Sequence, residues 1–311
     1  MGLLSSLFGG SKTDGNQTGQ DEKNFEILKY DGIRARNMGQ LAYAIKCFES
    51  AVALNDEPET LGLLANAYLQ TGRLEDARHT LERLTVKDAT NLSAWLALAN
   101  VCYMQEDYAT MNDVCQKALA LDDKNATVYY QSARAAKGLK NDLQAVVLLT
   151  KALVQDDGFI NAYLLRAEIL WEMRQAKDAK EDIQKVLQLS PDSEEALLLN
   201  GKIDAALGNV EAALQGIDHV ISLNPFHEEG YLLKAGIFLL QKDFDKAIDT
   251  YTEAMELMED NARLYQERGR VYLLKGDKEK AAADLKRAIE LNPESENLIT
   301  GNFKNYEAKN G

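Results

Sequence analysis

Three histidines and three cysteines are the residues from which this chain would build a metal site, a proton relay or a nucleophile. His79, His219 and His227 each stand isolated, and none has an i, i+4 partner of the kind zinc binding or nucleophile activation needs. Cys47, Cys102 and Cys115 show no Cys-x-x-Cys spacing, and their odd number does not make a disulfide framework. Carboxylate pairs such as Asp122 and Asp123 fall where helices end, as ordinary surface acids do. Gly9, Gly10 and Gly15 lie in a polar tract rather than at a strand-to-helix turn, so no phosphate loop is present. The expectation is no catalytic residue, no metal, no cofactor and no enzyme. With 49 acidic against 35 basic residues, a formal charge of −14, the chain also argues against nucleic acid, whose binding needs clustered Lys and Arg. The acidic excess is spread out, with no block of five like charges, and reads as solubility.

What the sequence does carry is a period. Gly32, Ala65, Ala99, Ala133, Ala167, Gly201, Ala235 and Gly269 follow one another at 34 positions, with one step of 33. Twelve residues after each comes a second small residue: Ala44, Ala77, Ala145, Ala179, Ala213, Ala247 and Ala281, with Met111 interrupting in the third repeat. A fixed period of this length marks a solenoid of supersecondary units, here two helices crossing where almost no side chain separates them. Counting from Phe25, Pro58, Leu92, Ala126, Ile160, Glu194, Glu228 and Ala262, large apolar residues fall at positions 4, 7 or 8 and 11, one stripe of a first helix, A. Positions 20, 24 and 27 repeat the pattern on a second helix, B, as in Ala247, Tyr251 and Ala254, with Leu121, Leu189, Leu223, Leu257 and Leu291 closing its last turn. Position 15, between them, is Gly39, Gly72, Gly208 or Gly276 in four repeats, suiting the positive φ that ends a helix. It is Glu106, Lys140, Arg174 or Lys242 in the others, so glycine is favoured there but not required. Pro191, Pro225 and Pro293 stand at position 32, where helix B must stop, and Pro58 opens the second repeat.

These positions resemble the tetratricopeptide repeat, a 34-residue helix-turn-helix with an aromatic near 4, a small residue at 8, an aromatic at 11, alanine at 20 and proline at 32. Trp95, Tyr129, Tyr163, Tyr231 and Tyr265 supply the first aromatic, and Tyr68, Phe238 and Tyr272 the second. Departures are Met111 at position 20, Asp204 at 11 of the sixth repeat, and Leu84, Val186 and Val220 at 27. The resemblance implies an all-α, right-handed superhelical solenoid of stacked antiparallel helix pairs. Its expected layout is eight tandem repeats over 25–295 (25–57, 58–91, 92–125, 126–159, 160–193, 194–227, 228–261 and 262–295). Residues 1–24 are expected as a flexible N-terminal segment with a short apolar stretch at 3–8, and residues 296–311 as a capping helix and tail in which Ile299, Phe303 and Tyr306 take positions 4, 8 and 11.

In the resembled family helix A lines a concave groove, and positions 2, 5, 9 and 12 face into it. Those positions nominate Asn66, Asn100, Tyr103, Tyr130, Arg134, Lys137, Glu168 and Trp171 as partner-binding residues, with Lys29, Ile33, Arg36, Leu69 and Leu96 beside them. Asn66 and Asn100, one repeat apart at position 9, can each donate to and accept from a peptide backbone. Tyr103, Tyr130, Arg134, Lys137 and Trp171 combine rings and cations, the side chains in which interfaces concentrate their energy, and are expected to anchor an acidic segment. A rival expectation is that Tyr103 and Trp171 pack against the next helix. The clamp by which some family members grip the acidic tails of heat-shock chaperones is not assembled, since the nearest window pairs Lys29 with Ile33 and Leu63.

The implied function is a non-enzymatic, cytoplasmic interaction scaffold or adaptor that binds a protein or peptide of unspecified identity in its groove. The alternative is a peripheral membrane or secretion-complex component recruited through Leu3, Leu4, Leu7 and Phe8, which would share one face if helical and which follow a Met1, Gly2, Ser6 pattern suited to N-myristoylation. No apolar stretch approaches the roughly 20 residues needed to span a bilayer. Nothing in the sequence encodes an oligomeric state.

Overall fold

The small residues of the period sit where helices cross. In the computed structural model, which describes residues 14–295, positions 8 and 20 of every repeat are buried. Ala133, Ala145, Ala167 and Ala179 have no solvent exposure at all. A Cβ on Gly32 would stand 2.5 Å from Phe48 Cε1, and one on Gly201 would stand 2.9 Å from Ile217 Cγ1. The helix axes approach too closely for a side chain there. Met111, the single large residue in the series, is fully buried and takes its place in the core beside Val114 and Cys115.

The chain divides into two compact halves, residues 1–159 and 160–311. The first contains the helical hairpins α1 (Asp14–Asn37) with α2 (Leu41–Leu54), α3 (Pro58–Gln70) with α4 (Leu74–Lys87), α5 (Leu92–Met104) with α6 (Tyr108–Leu121), and α7 (Ala126–Gly138) with α8 (Asp142–Gln155). The second contains α9 (Ile160–Glu172) with α10 (Ala176–Leu189), α11 (Glu194–Ala206) with α12 (Val210–Leu223), α13 (Glu228–Leu240) with α14 (Phe244–Leu257), and α15 (Ala262–Lys275) with α16 (Lys278–Leu291), then a 3-10 turn at Pro293–Ser295. Among the described residues there is no strand. Within each half successive hairpins stack, so each helix B packs on its own helix A and, except for the last of each half, on the next. The result is an all-α solenoid, with helices beginning at Pro58, Leu92, Ala126, Ile160, Glu194, Glu228 and Ala262, the residues at which the periodic frame opens a repeat.

The eight A-to-B turns are built alike. Position 15 has positive φ throughout, 72° to 87° at the four glycines and 57° to 65° at Glu106, Lys140, Arg174 and Lys242. The amide that follows it returns to the carbonyl five residues back, as in Gln40 to Ala35 at 2.9 Å and Asn141 to Ala136 at 2.9 Å. This is the Schellman arrangement, which satisfies carbonyls that the helix end leaves open. Several helix starts are capped from the side chain: Asn91 accepts from the Ala94 amide, Asn125 from Val128, Asp107 from Thr110 and Asp243 from Lys246. The Asp107 carboxyl is held below its usual range by those Thr110 hydrogen bonds and by Arg78. Pro191, Pro225 and Pro293 follow the ends of α10, α12 and α16, and Pro58 is the first residue of α3, so no proline interrupts a described helix.

Two sequence expectations change here. Residues 14–24, read as part of a flexible segment, belong to α1. The stretch lacks proline, and once the packed second half of the helix exists, each added residue extends an existing nucleus, as the Gln20 to Asn24 side-chain bond at 2.9 Å does one turn along. Lys29, expected to face the groove, is buried at 7% exposure. Burial alone would lower its pKa, but hydrogen bonds to Glu57 at 2.9 Å and Glu59 at 2.5 Å outweigh that and hold the ammonium charged well above its ordinary range. The apolar residues Leu3 to Phe8 and the C-terminal stretch 296–311 lie outside the described residues. Among the described residues no helix is long and apolar enough to cross a membrane.

Candidate functional site

The A helices α5 and α7 lie side by side in the first half and bring together three of the nominated residues. Arg134, at position 9 of α7, lays its guanidinium over the Tyr103 ring of α5, with Cζ 3.4 Å from the ring centroid and 5.7 Å from that of Tyr130. Such stacking on an aromatic face is worth about 0.5–2 kcal/mol, more as water is excluded. Gln131, three residues back, accepts from one guanidinium nitrogen at 2.8 Å. Among the described residues no carboxylate pairs with Arg134, and all three of Tyr103, Tyr130 and Arg134 are half-buried. Five N–H donors on a fixed planar fork, of which one meets Gln131, leave capacity for a two-point contact with a carboxylate or phosphate. Lys137 follows three residues on, half-buried on the same helix.

The rings beneath this arginine are themselves braced. Tyr103 meets Tyr108 edge to face at 6.0 Å and 67°, and Tyr130 meets Phe159 at 5.0 Å. Tyr108, which opens α6, packs against Gly138 at the end of α7, where a Cβ would stand only 2.2 Å from the ring's Cγ. Sequence reading did not single out Gly138, because it stands at position 13, outside the repeating small-residue series. Substituting Gly138→Ala is expected to destabilise the chain by about 1–3 kcal/mol, since a whole ring rather than a flexible tip must move. The measurement is a thermal melt followed by circular dichroism; an unchanged melting temperature would mean the Tyr108 ring is not held there.

The two asparagines are also displayed, though neither bonds the other. Asn66 Oδ1 accepts from Gln70 Nε2 at 2.5 Å, and Asn100 Nδ2 lies 3.8 Å from Met104 Sδ. Asn66 stands at the edge of a cleft of about 510 Å³ between α3, α4 and α5, floored by Leu81 and Leu84. Glu168 and Trp171 lie on α9 in the second half, one turn apart and half-buried.

The cysteines lie away from this surface. All three are buried free thiols, and burial raises Cys102 and pushes Cys115 up to about 11, which disfavours the nucleophilic thiolate. They act as small apolar core residues.

Sequence reading missed the charged pairs of the second half. Arg166 of α9 grips Asp182 of α10 through two bonds, Nε to Oδ2 at 2.8 Å and Nη2 to Oδ1 at 2.6 Å. Arg268 of α15 does the same with Asp284 of α16, both bonds at 2.8 Å, and adds Thr252 at 3.0 Å. Both pairs join position 7 to position 23 of one repeat, and that shared register was the available signal. Asp204, the polar departure at position 11, is buried and bound by Lys180, by Asn200 at 3.0 Å and by Asn209 at 3.3 Å. These groups are saturated among themselves and hold helices together rather than offering a site.

With this geometry in hand, comparison with known proteins is direct. Two sequence models of the tetratricopeptide repeat match residues 35–102 and 170–237, and residues 226–294, together more than half of the chain. A tetratricopeptide repeat protein of Parabacteroides merdae superposes with a TM-score of 0.60 at 21% identity, over 78% of this chain and 96% of that one. YrrB, a tetratricopeptide repeat protein with an unusual peptide-binding site, superposes at 0.50 and 22% identity, over 60% of this chain and 97% of its own. Cellulose synthase operon protein C of Pseudomonas fluorescens is 28% identical over 129 residues, 42% of this chain, and the match spans a tenth of that longer protein's length. The 34-residue period, the buried small residues at each crossing, the repeated turn and these matches agree: the chain belongs to the tetratricopeptide repeat family, a fold of protein-interaction scaffolds.

Proposed function

We propose that the chain is a non-enzymatic adaptor that holds a peptide or partner helix along the face made by its A helices, with Arg134 as an anchor for an acidic group. The observation that carries this is the arginine itself. A guanidinium clamped on Tyr103, beside Tyr130 and without a carboxylate of its own among the described residues, is pre-organised, so little side-chain entropy remains to be lost on binding. Asn66 and Asn100 add amides suited to any peptide backbone. Peptide binding by YrrB is the same class of activity in a protein of this fold.

The test is affinity capture of the full chain, with mass spectrometry of what remains bound, set against a variant carrying Arg134→Ala and Lys137→Ala. A directly contacted acidic group is worth about 1–3 kcal/mol, so partner affinity should fall by about 5- to 150-fold. Arg134→Lys keeps the charge and loses the stacked fork, and should recover only part of the affinity. Partner recovery unchanged in the double variant would reject the anchor.

A further inference from the structure

Glycine at position 62 costs α3 helix stability and gains nothing in packing. It lies in a helix interior, where glycine is less favourable than alanine because the unfolded chain has more freedom to lose. Its φ is not positive, and a Cβ there would only reach an ordinary contact with Leu84 at 3.8 Å. Neither backbone geometry nor a close approach requires it. At the same position 5 the other repeats carry Lys29, Leu96, Tyr130, Leu164, Leu198, Leu232 and Gln266, all long side chains. The absence of one at Gly62 opens the cleft of about 510 Å³ between α3, α4 and α5. Its floor is the buried pair Leu81 and Leu84, and Leu69 and Ala97 form its walls.

The rim is polar and acidic. Asn66 spends its carbonyl on Gln70, and among the described residues its Nδ2 donates to nothing. Asp88 accepts from the Thr90 amide at 3.3 Å and hydroxyl at 2.8 Å, both on Oδ1, and among the described residues no cation pairs with it. Glu59, also in the lining, shares the single Lys29 ammonium with Glu57 and so adds to the negative charge of the rim. An apolar hole with free amide donors at Asn66 and Asn91 and an acidic rim that includes the unpaired Asp88 selects a ligand that is apolar at one point, offers a backbone carbonyl, and is cationic beside it.

We propose that this cleft takes one leucine- or phenylalanine-sized side chain of a linear peptide, with Asn66 donating to the peptide backbone and Asp88 meeting a lysine or arginine next to the buried side chain. The inference rests on the groove reading above and deepens it, since a basic-apolar end here and an acidic group at Arg134 would fix the direction in which a peptide lies across repeats two to four.

The experiment pans a phage library of random linear dodecapeptides on the full chain, with counter-selection on Gly62→Leu, and then measures a fluorescein-labelled consensus peptide by anisotropy. The expected consensus places Leu, Phe or Met beside Lys or Arg. Gly62→Leu should weaken that peptide by at least about tenfold, Gly62→Ala by less, and Asp88→Asn by about threefold with a flatter salt dependence. Both Gly62 variants replace a helix-interior glycine, so their melting temperatures should equal or exceed that of the parent, which separates a filled cleft from a misfolded chain. Failure to recover any peptide that distinguishes the parent from Gly62→Leu, or a consensus without the apolar-basic pair, overturns the inference. Peptides that bind Gly62→Leu normally but are lost on Arg134→Ala overturn it while leaving the anchor at Arg134 standing.

Discussion

Asp182→Ala will lower the unfolding free energy by about 3 kcal/mol, and Asp284→Ala by a similar amount, because each leaves a partly buried guanidinium without its carboxylate. The side chains of Asp182 and Asp284 are 6% and 9% exposed and those of Arg166 and Arg268 are 19% and 17% exposed, so neither arginine can simply turn into water. The loss has two parts, the charge-assisted bonds themselves and the desolvation that Arg166 has already undergone and can no longer offset. The second part dominates, which yields a sharper expectation. Removing both partners, as Arg166→Met with Asp182→Leu, should recover most of the stability lost in the single variant, since an apolar pair of similar volume leaves no orphaned charge. Urea unfolding of the four members of this cycle, followed at 222 nm, gives the coupling directly. A single variant with a midpoint indistinguishable from the parent would show that Arg166 finds a second partner or solvent at no cost.

These ion pairs also mark how far the sequence could be read. The architecture was legible because it depends on steric exclusions that recur: a small residue wherever two helices cross, a turn residue able to take positive φ, and a proline only after a helix has ended. The first leaves a trace in nearly every repeat and the other two in about half of them at a fixed position, and eight copies make the traces visible. Arg166 with Asp182 is a different kind of feature, a contact between two positions that matter jointly, and it occurs in repeats five and eight but not throughout. Lys29 shows the same limit from the other side. Position 5 is half-buried in the other repeats, yet Glu57 and Glu59 draw this lysine fully under cover. The residues of the proposed anchor were legible as types, since rings and cations on helix A stand out in the text of the chain. Their relation was not, because it takes α5 beside α7 to place Arg134 on Tyr103. Gly62 was harder still: a single glycine reads as a weak helix position until the missing side chain is seen to leave a hole.

The strongest stabilisation should come from the turns whose residue type does not match their backbone. Glu106, Lys140, Arg174 and Lys242 adopt φ of 57°, 59°, 65° and 61°, in the region where a Cβ crowds the following carbonyl and costs roughly 1–2 kcal/mol. Replacing each with glycine removes that strain and adds about 0.4–1 kcal/mol of unfolded-state entropy to be lost on folding. At the middle of both ranges the difference is a net gain of about 0.8 kcal/mol per site. The four side chains are exposed, and among the described residues they make no ion pair, so nothing else is surrendered. They stand in separate hairpin turns with no shared partner, and independent sites add. The variant carrying Glu106→Gly, Lys140→Gly, Arg174→Gly and Lys242→Gly should therefore be more stable than the parent by about 2–4 kcal/mol, and its melting temperature should rise accordingly. The reverse substitutions Gly39→Ala and Gly72→Ala, at φ of 75° and 72° with open space around them, should each cost about 1 kcal/mol. That sign reversal is what ties the effect to backbone conformation, because glycine placed elsewhere in a helix destabilises it. A quadruple variant that melts at or below the parent temperature would mean the strain at these turns is relieved by their side chains in a way that the backbone angle alone does not reveal.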